Sequence, residues 1–437
     1  MKIAIFTDCY LDLTGGITTN INIEKQELEK RGHTVYVFSS AYPRTKQQII
    51  KLAKENIFPV PSCKHILRGI TPVARRPRII EKWLDQNHSE IKDFDIFYIH
   101  YEAGASIAGL RYARQHHIPT VQVMHGREDV GEANLVPLGL RTIVATLLNW
   151  FHSWYLPHPA KVHRDNYLAT TLASAKMWTL MVNHANYADL IITPSKHFAK
   201  KLHHYGVKRQ IIPLAHGMPD NLCTKPHRPR VFTPQPSPNP TTPEPTSTHN
   251  NSTTPESSAL HKHSPLRLIW HSRVSGEKRI MVFLKALRQV TGKYQLDVYG
   301  DGNDLKKAKR YAQRHQLNVI FHGVAKFPAI YQQIEKSHLD VLVSYNFDTF
   351  GMTLIEAESA GTPVLIADPD LREVAPEGGY ILSATPSATS IADAINSLFS
   401  HPEKIRQMSE IMLRDRPRIT ISHKIDQLEQ IFIKLRH

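Results

Sequence analysis

Two basic side chains follow an apolar run in the second half of the chain, at Arg273 and Lys278. They flank a Ser-Gly turn in the segment IWHSRVSGEK. A planar guanidinium and a nearby ammonium suit a diphosphate, because together they supply several donors and two positive charges. Taken alone, the motif is equally compatible with a solvated basic turn.

Two acids lie eight residues apart in FDTFGMTLIEAESAGTPVLIADPD, at Asp348 and Glu356. Between them, Phe350, Gly351 and Met352 predict a glycine-containing loop that leads into a helix, whose N-terminus would favour an anionic phosphate. Glu356 would lie about one turn into this helix, where its carboxylate can accept hydrogen bonds from two ribose hydroxyls. A loop acid followed by a capping acid is the alternative interpretation.

The first half of the chain has candidate residues after two other apolar runs. Gly15 and Gly16 open a predicted helix and allow close approach of a phosphate, although an ordinary tight turn also uses such glycines. The pattern is not GxGxxG, which argues against a dinucleotide site. His125 ends VQVMH and can exchange a hydrogen bond with a substrate hydroxyl or with its own loop. Glu128 and Asp129 are predicted to lie in a solvated loop.

The elements that must position these residues are short β-branched runs, each followed by a segment of helical periodicity. Most runs are apolar throughout, as in parallel strands covered on both faces. The alternation predicts an α/β fold with doubly wound sheets, which bind ligands at the carboxyl ends of their strands. The predicted strands are Lys2–Thr7, Thr34–Ser39, Asp95–His100, Thr120–His125, Asp189–Pro194, Leu266–Ser272, Gln295–Gly300, Asn318–Gly323, Leu339–Tyr345 and Pro363–Asp368.

Composition divides the chain into two halves. The 437 residues suffice for two or three domains. Residues 225–264 are rich in Pro, Ser, Thr and Asn, which predicts a disordered insert between a first domain, 1–220, and a second, 265–418. The final segment, 419–437, has apolar residues at helical spacing. The net charge of +15 indicates an anionic partner or a solubilising surface.

Together these motifs resemble those of the retaining glycosyltransferases of GT-B fold in family 4, also called group 1. That family shows an acid, seven residues and a glutamate around Phe-Gly, followed by EA-x-x-x-G-x-PV; this chain reads DTFGMTLIE and then AESAGTPV. The upstream Arg-x4-Lys pair, YGDGNDL and FHGV are in register with the family's pattern. TDCYLDLTGGITTNI and VQVMHG are similar to members that glycosylate membrane lipids, such as diacylglycerol glucosyltransferases and phosphatidylinositol mannosyltransferases.

The resemblance implies two Rossmann-like domains that face a central cleft, with the last helix crossing back to the first domain. It also implies two sets of site residues. The residues implied to act at the reacting bond are His125, Arg273, Lys278 and Asp348. The residues implied to hold the donor are Gly16, Val324, Phe350, Gly351, Met352 and Glu356.

The implied roles follow the family. Arg273 and Lys278 would stabilise the departing diphosphate, whose charge grows in the transition state. Glu356 would bind the ribose, Val324 would pack beside the base, and His125 would contact the sugar or the acceptor near the reacting carbon. No metal or cofactor is implied, because basic side chains take the place of a cation and the nucleoside diphosphate sugar is a substrate. The acceptor would attack from the face that the diphosphate leaves.

Asp348 departs from the family pattern, in which this acid is usually glutamate. Together with the backbone of 350–352 it would hold sugar hydroxyls, but its side chain is shorter by one methylene, about 1.5 Å of reach. Either the sugar sits differently or the activity is reduced. Gly16 fits the pattern, and would let a loop of the first domain close on the phosphates.

Residues 138–156, LGLRTIVATLLNWFHSWYL, predict a helix with one broad apolar face. Aromatic residues with basic neighbours suit a helix in the headgroup region of a membrane, although a core helix or a dimer face is the alternative. We therefore expect residues 138–164 to bind an anionic membrane surface. The predicted face is Leu147, Leu148, Trp150, Phe151, Trp154 and Tyr155, with Arg141, Lys161, His163 and Arg164 nearby.

The sequence thus predicts transfer of a hexosyl group from a nucleoside diphosphate sugar to a lipid or glycolipid acceptor at the cytoplasmic membrane face. Alternatives are a soluble glycan or small-molecule acceptor, and a non-catalytic GT-B scaffold that binds membrane or a partner. A nucleic-acid partner is not expected, because neither RNP aromatics nor zinc-ligand spacing is found. Few, scattered cysteines are typical of a cytoplasmic protein, here one peripheral to the inner face of the membrane.

Overall fold

The computed structural model describes residues 1–9, 16–40, 45–62, 76–234 and 265–436. The chain forms two compact units. Unit 1 consists of Met1–Lys225, Asn346–Ile355 and Arg416–His437, and unit 2 consists of Pro226–Tyr345 and Glu356–Asp415. Both are α/β units, which confirms the predicted fold class.

Unit 1 is built on a parallel sheet with the strand order β3-β2-β1-β4-β5-β6-β7 over the residues that the structure describes. This order reverses between β1 and β4, which is the topological switch point where open α/β sheets bind ligands. The strands are β1 (Lys2–Thr7), β2 (Thr34–Ser40), β3 (Ile57–Val60), β4 (Ile96–His100), β5 (Thr120–Val123), β6 (Leu190–Thr193) and β7 (Ile211–Pro213). The first helices are α1 (Gly16–Lys30), α2 (Lys46–Lys54), α3 (Pro77–Asn87), α4 (Gly104–Gln115), α5 (Glu128–Leu135), α6 (Arg141–Ser153), α7 (Leu172–Tyr187), α8 (Lys196–His204) and α9 (Asp220–Thr224).

Unit 2 repeats this arrangement with a second parallel sheet, in the order β10-β9-β8-β11-β12-β13 among the described strands. Its switch point lies between β8 and β11. The strands are β8 (Leu266–His271), β9 (Tyr294–Tyr299), β10 (Val319–Gly323), β11 (Leu339–Leu342), β12 (Val364–Ile366) and β13 (Tyr380–Leu382). The remaining helices are α10 (Ile280–Leu287), α11 (Leu305–Arg314), α12 (Phe327–Ile334), α13 (Met352–Ala360), α14 (Ala388–Ser400), α15 (Glu403–Asp415) and α16 (Ile421–Arg436).

The sheet of unit 1 is covered on both faces, as its continuous apolar strands predict. Along β1, Ile3 and Ile5 point into one core cluster, whereas Ala4 and Phe6 point into the other. Burial of each isoleucine or phenylalanine side chain contributes about 1.5–3 kcal/mol. Helix α4 lies close against this strand, since a Cβ on Gly109 would stand 2.6 Å from the Phe6 ring.

Helix α16 packs within unit 1. Its buried residues Ile425, Leu428 and Phe432 recur at helical spacing and join the cluster that contains Ile3 and Ile5. Just after the C-terminal end of α1, the Arg31 guanidinium donates to Asp426 of α16, with a nitrogen-oxygen distance of 2.6 Å. No helix in the described ranges has both the length and the hydropathy needed to cross a bilayer.

The predicted insert is wrong at its beginning. Residues 226–234 are ordered parts of unit 2, because Phe232 is buried in its core and Arg230 donates to the carbonyl of Ala360, at 2.7 Å. A buried ring and a paired guanidinium give this stretch contacts that its proline content does not indicate. The rest of the predicted insert, 235–264, lies outside the described residues.

Candidate active site

The basic turn lies after β8, at the switch point of unit 2. Gly300, whose φ is +141°, leaves room for the carbonyl of Ser272, which a Cβ would approach to 2.2 Å. The amide of Val274 then donates to the carbonyl of Asp301, at 3.0 Å. The YGDGNDL segment therefore fixes the backbone that carries Arg273, whose exposed guanidinium lies 3.3 Å from Glu277.

Glu356 lies in α13 and belongs to the same end of the unit 2 sheet. One of its carboxylate oxygens lies 3.2 Å from Nδ1 of His271, the last residue of β8. The other ring nitrogen of His271 contacts Asp340 on β11, at 2.6 Å. Thus Glu356 and the basic turn both join the carboxyl end of β8, one through a side chain and the other through the backbone.

The loop that carries the first acid of the motif, Asn346–Ile355, belongs to unit 1. The Thr349 hydroxyl donates to the His125 carbonyl, and the Ser195 hydroxyl donates to the Thr349 carbonyl, both at 2.5 Å. A Cβ on Gly16 would lie 3.5 Å from Met352. Four predicted site positions, Gly16, His125, Asp348 and Met352, are therefore joined through this one loop.

His125 lies in a buried row of rings. Its Nε2 is 2.9 Å from Nδ1 of His100, and its ring stacks on that of His216 at 5.7 Å between centroids. The Phe350 ring packs edge-on against His216, at 5.0 Å. Nε2 of His125 already faces His100. A substrate would therefore contact the Nδ1 side of His125 or the loop around it.

A buried ion pair adjoins this row. The Lys424 ammonium of α16 contacts the Glu24 carboxylate of α1, and it lies 3.4 Å from Nδ1 of His216. Burial, together with the charge of Lys424, holds the pKa of His100 and His216 well below the usual range. Burial and the neighbouring His100 have the same effect on the pKa of His125. These rings are neutral at physiological pH.

Glu128 and Asp129 do not form the solvated loop that the sequence predicts. Glu128 begins α5, and Asp129 is buried in an ion pair with Arg127, at 2.6 Å. The Tyr101 hydroxyl lies 3.4 Å from Glu128, and burial raises the pKa of Glu128 to about 7. An arginine two residues before an acid was the signal in the sequence for this pairing.

The other predicted residues are placed as follows. Lys278 lies in unit 2 with Arg273, and Gly351, with a φ of +74°, lies in the loop of unit 1. Val324 follows β10 and is 71% exposed, so the described residues leave most of its surface uncovered. Gly15 lies outside the described residues.

Three residues important to this arrangement, His271, Asp340 and Thr349, were not singled out from the sequence. His271 stands two positions before Arg273, but its carboxylate partners are 69 and 85 residues away along the chain, as the numbers of Asp340 and Glu356 show. Thr349 lies inside the DTFG motif, where its polar side chain was the available signal.

Within the described ranges, no group of three or more His, Cys, Asp or Glu side chains is arranged to hold a metal ion.

Two family models match this chain. Residues 14–218 match the family described as Glycosyltransferase Family 4, and residues 254–412 match the family described as Glycosyl transferases group 1. Both candidate sets of site residues fall within these matches.

Two curated relatives are lipid-directed by name. The chain is 35% identical over 100 residues to a lipopolysaccharide 1,6-galactosyltransferase of Escherichia coli. This aligned region covers 22% of this chain and 28% of the relative. It is 24% identical over 378 residues to an alpha-monoglucosyldiacylglycerol synthase of Streptococcus pneumoniae, which covers 84% of this chain and 70% of the relative. The first match thus spans well under half of that protein.

A solved structure shares the fold. The Anabaena protein HepE, crystallised in complex with UDP, superposes with a TM-score of 0.65 over 99% of this chain and 100% of that chain, at 16% identity. At this identity the likeness concerns the fold alone.

Proposed function

Since this chain belongs to the family 4 glycosyltransferases of GT-B fold, we propose that it transfers a hexosyl group from a nucleoside diphosphate sugar to a lipid or glycolipid acceptor. In this proposal unit 2 binds the donor and unit 1 binds the acceptor. The anomeric configuration is retained.

One observation carries the donor assignment. At the switch point of unit 2, the turn that carries Arg273 and Lys278 follows β8, and the Glu356 carboxylate contacts the last residue of the same strand. Cations suit a diphosphate, and a carboxylate suits the two hydroxyls of a ribose. A nucleoside diphosphate presents these two chemistries side by side.

The proposed reaction needs little from the protein besides position and charge. The bond from the anomeric carbon to the diphosphate oxygen breaks, and the acceptor oxygen bonds to that carbon from the same face. The acceptor proton passes to the departing diphosphate oxygen. Arg273 and Lys278 stabilise the charge that grows on the diphosphate, so we propose that no metal is required.

We assign the sugar and acceptor contacts to residues of unit 1. Asp348 and the backbone of 350–352 hold sugar hydroxyls, and Gly16 leaves space for the phosphates. His125 contacts a hydroxyl as a neutral hydrogen-bonding partner, which is consistent with its lowered pKa. Val324, exposed after β10, packs beside the base.

The acceptor assignment rests on the surface of α6. Ile143, Leu147, Trp150 and Trp154 form a stripe at spacings of four, three and four residues, and each is more than half exposed. The Trp150 and Trp154 rings lie 4.1 Å apart. Aromatic and aliphatic side chains in such a stripe suit the headgroup boundary of a bilayer.

Two residues of the predicted face are placed differently by the structure. Tyr155 is buried and Phe151 packs against it, at 5.1 Å between ring centroids, so both point into unit 1. The lipid-facing stripe that we propose is therefore narrower than the sequence suggests, and is extended by Leu138 and Leu140. Lys161, His163 and Arg164 are exposed and would add attraction for an anionic, cytoplasmic membrane face.

The donor assignment is tested by turnover of the purified protein with UDP-sugars and GDP-sugars and a bacterial lipid extract, with EDTA present. We expect a glycolipid product, and a loss of at least about 100-fold in Arg273→Ala, as when one transition-state donor is removed. Arg310→Ala, which removes an exposed arginine of α11, is the matched control. Near-normal turnover of Arg273→Ala would refute the assignment.

The membrane assignment is tested by co-sedimentation with vesicles that contain phosphatidylglycerol. We expect binding that weakens as salt rises and falls at least about tenfold in Trp150→Ala/Trp154→Ala. The control is Ile49→Ala/Ile50→Ala, which removes an exposed apolar pair from α2. If the wild-type protein fails to bind even at low salt, the acceptor is soluble.

A further inference from the structure

His271 connects two acidic side chains at the donor end of unit 2. Its side chain is 2% exposed, and each ring nitrogen faces a carboxylate oxygen: Nε2 faces Asp340 at 2.6 Å, and Nδ1 faces Glu356 at 3.2 Å. Asp340 is equally buried and also accepts from the amide of Val341, at 2.6 Å. Among the residues that the structure describes, Asp340 and Glu356 are the charged groups that face this ring.

Both ring nitrogens must donate in this geometry. A neutral imidazole has one N–H and one lone pair, so one of its nitrogens would face a carboxylate oxygen without a proton. Burial alone would lower the pKa of His271, but the two carboxylates outweigh burial and raise it to about 10. The ring is therefore an imidazolium across the physiological range.

The imidazolium determines what Glu356 can do. The imidazolium contacts Oε2 of Glu356. The other carboxylate oxygen, Oε1, meets no donor in the part of the chain that the structure describes, and the Glu356 side chain is 16% exposed. Without the imidazolium, the neighbouring carboxylates of Asp340 and Glu356 would repel, and Glu356 would lose the contact that fixes its Oε2. A Glu356 side chain in another orientation would not present Oε1 to a ligand hydroxyl.

We propose that His271 is a positioning residue for the donor, which holds Glu356 turned so that Oε1 accepts from the ribose hydroxyls. The inference rests on the proposed donor function and extends it to a residue outside the motif. Asp340 completes the arrangement as the buried counter-charge that holds the far side of the ring.

The test is a thermodynamic cycle on nucleotide binding, measured by calorimetry on the full chain. UDP and 2′,3′-dideoxy-UDP are titrated into the wild type and into His271→Gln, with GDP and 2′,3′-dideoxy-GDP used if the wild type prefers guanine. We expect the wild type to favour the ribonucleotide by about tenfold, and His271→Gln to lose that preference while binding the dideoxy nucleotide as before.

Three comparisons make the result decisive. Equal weakening of both nucleotides in His271→Gln, or no weakening of either, would overturn the inference. If His271→Gln does not fold, Asp340→Asn, which keeps the ring in place, should reduce the ribose preference in the same direction by a smaller factor, and an unchanged preference would overturn the inference. His401→Gln, an exposed histidine paired with Glu403, should match the wild type.

The proposed function fails differently. If the wild type binds neither UDP nor GDP, the donor assignment falls and this inference falls with it. If the wild type binds the ribonucleotide and the dideoxy nucleotide equally, nucleotide binding by unit 2 stands, but the ribose role of Glu356 is lost and the role of His271 with it.

Discussion

In unit 1, His100, His125 and His216 lie in a row beside the ammonium of Lys424, whereas in unit 2 His271 lies between two carboxylates. Burial acts on all four rings in the same direction, toward the neutral form. The pKa of the three rings in unit 1 lies well below the usual range, and the pKa of His271 is raised to about 10.

The difference shows that burial keeps a ring neutral unless neighbouring carboxylates outweigh it, as they do at His271. A neutral His125 can exchange a hydrogen bond with a hydroxyl without holding a charge that the substrate must match. A charged His271 can hold a carboxylate in one position. The two units therefore use histidine for two different purposes. The substitutions below test each purpose separately.

The largest expected effect follows from removing the cation of unit 1. Lys424→Met leaves the fully buried carboxylate of Glu24 without its partner, so we expect a loss of about 3–5 kcal/mol in the free energy of unfolding. Urea denaturation measures this loss.

The double variant Lys424→Met/Glu24→Gln removes both charges and should recover most of the lost stability. Lys434→Met, an exposed lysine of the same helix, should change stability by less than about 0.5 kcal/mol. A Lys424→Met variant as stable as this control would contradict the buried ion pair and its effect on the three histidines.

The central strands of both sheets and the edge strand β10 could be predicted from the sequence, and the other three edge strands could not. Lys2–Thr7 and the run that begins at Leu266 are mostly apolar and lie next to the switch points. The strands Ile57–Val60, Ile211–Pro213 and Tyr380–Leu382 were missed. These strands are three or four residues long and lie at sheet edges, and two of them contain proline. Runs this short show too little hydrophobic periodicity to be identified as strands.

For the site, the sequence predicted which residues follow the strands but not which side chains meet. The acid motif and the basic turn are local patterns, and they resemble a known family. The contacts of His271 with Asp340, and of Lys424 with Glu24, join residues far apart in the sequence. Only the fold brings them together, and a single sequence contains no periodicity that indicates such pairs.

A smaller effect is expected when the charged ring of unit 2 is removed, and it depends on pH. The folded-state pKa of His271 is about 10 and its ordinary value is 6.5, so its stabilisation is complete below pH 6.5 and is lost as pH rises through 10. We expect His271→Gln to cost about 2 kcal/mol at pH 6. The difference from the wild type should shrink steadily toward pH 10.

Denaturant unfolding at several pH values measures this dependence. Asp340 and Glu356 are the charged groups that face the ring, and both are retained in the variant. A difference that stays constant from pH 6 to pH 10 would mean that His271 is neutral in the folded protein.

The smallest expected effect concerns the loop of unit 1, which is held by uncharged hydrogen bonds. Thr349→Val removes the hydroxyl that donates to the His125 carbonyl, so we expect a loss of about 1 kcal/mol in the free energy of unfolding. Thr353→Val is the matched control, because the buried Thr353 hydroxyl has no hydrogen-bond partner among the described residues. Equal effects of the two substitutions would argue against the anchoring role of Thr349.

A crystal structure of the protein grown with UDP or GDP tests the donor site most directly. The account predicts the ribose hydroxyls within hydrogen-bonding distance of the Glu356 carboxylate, with His271 still in contact with its other oxygen, and the diphosphate beside Arg273 and Lys278. A nucleotide bound elsewhere, or bound with its ribose away from Glu356, would contradict it.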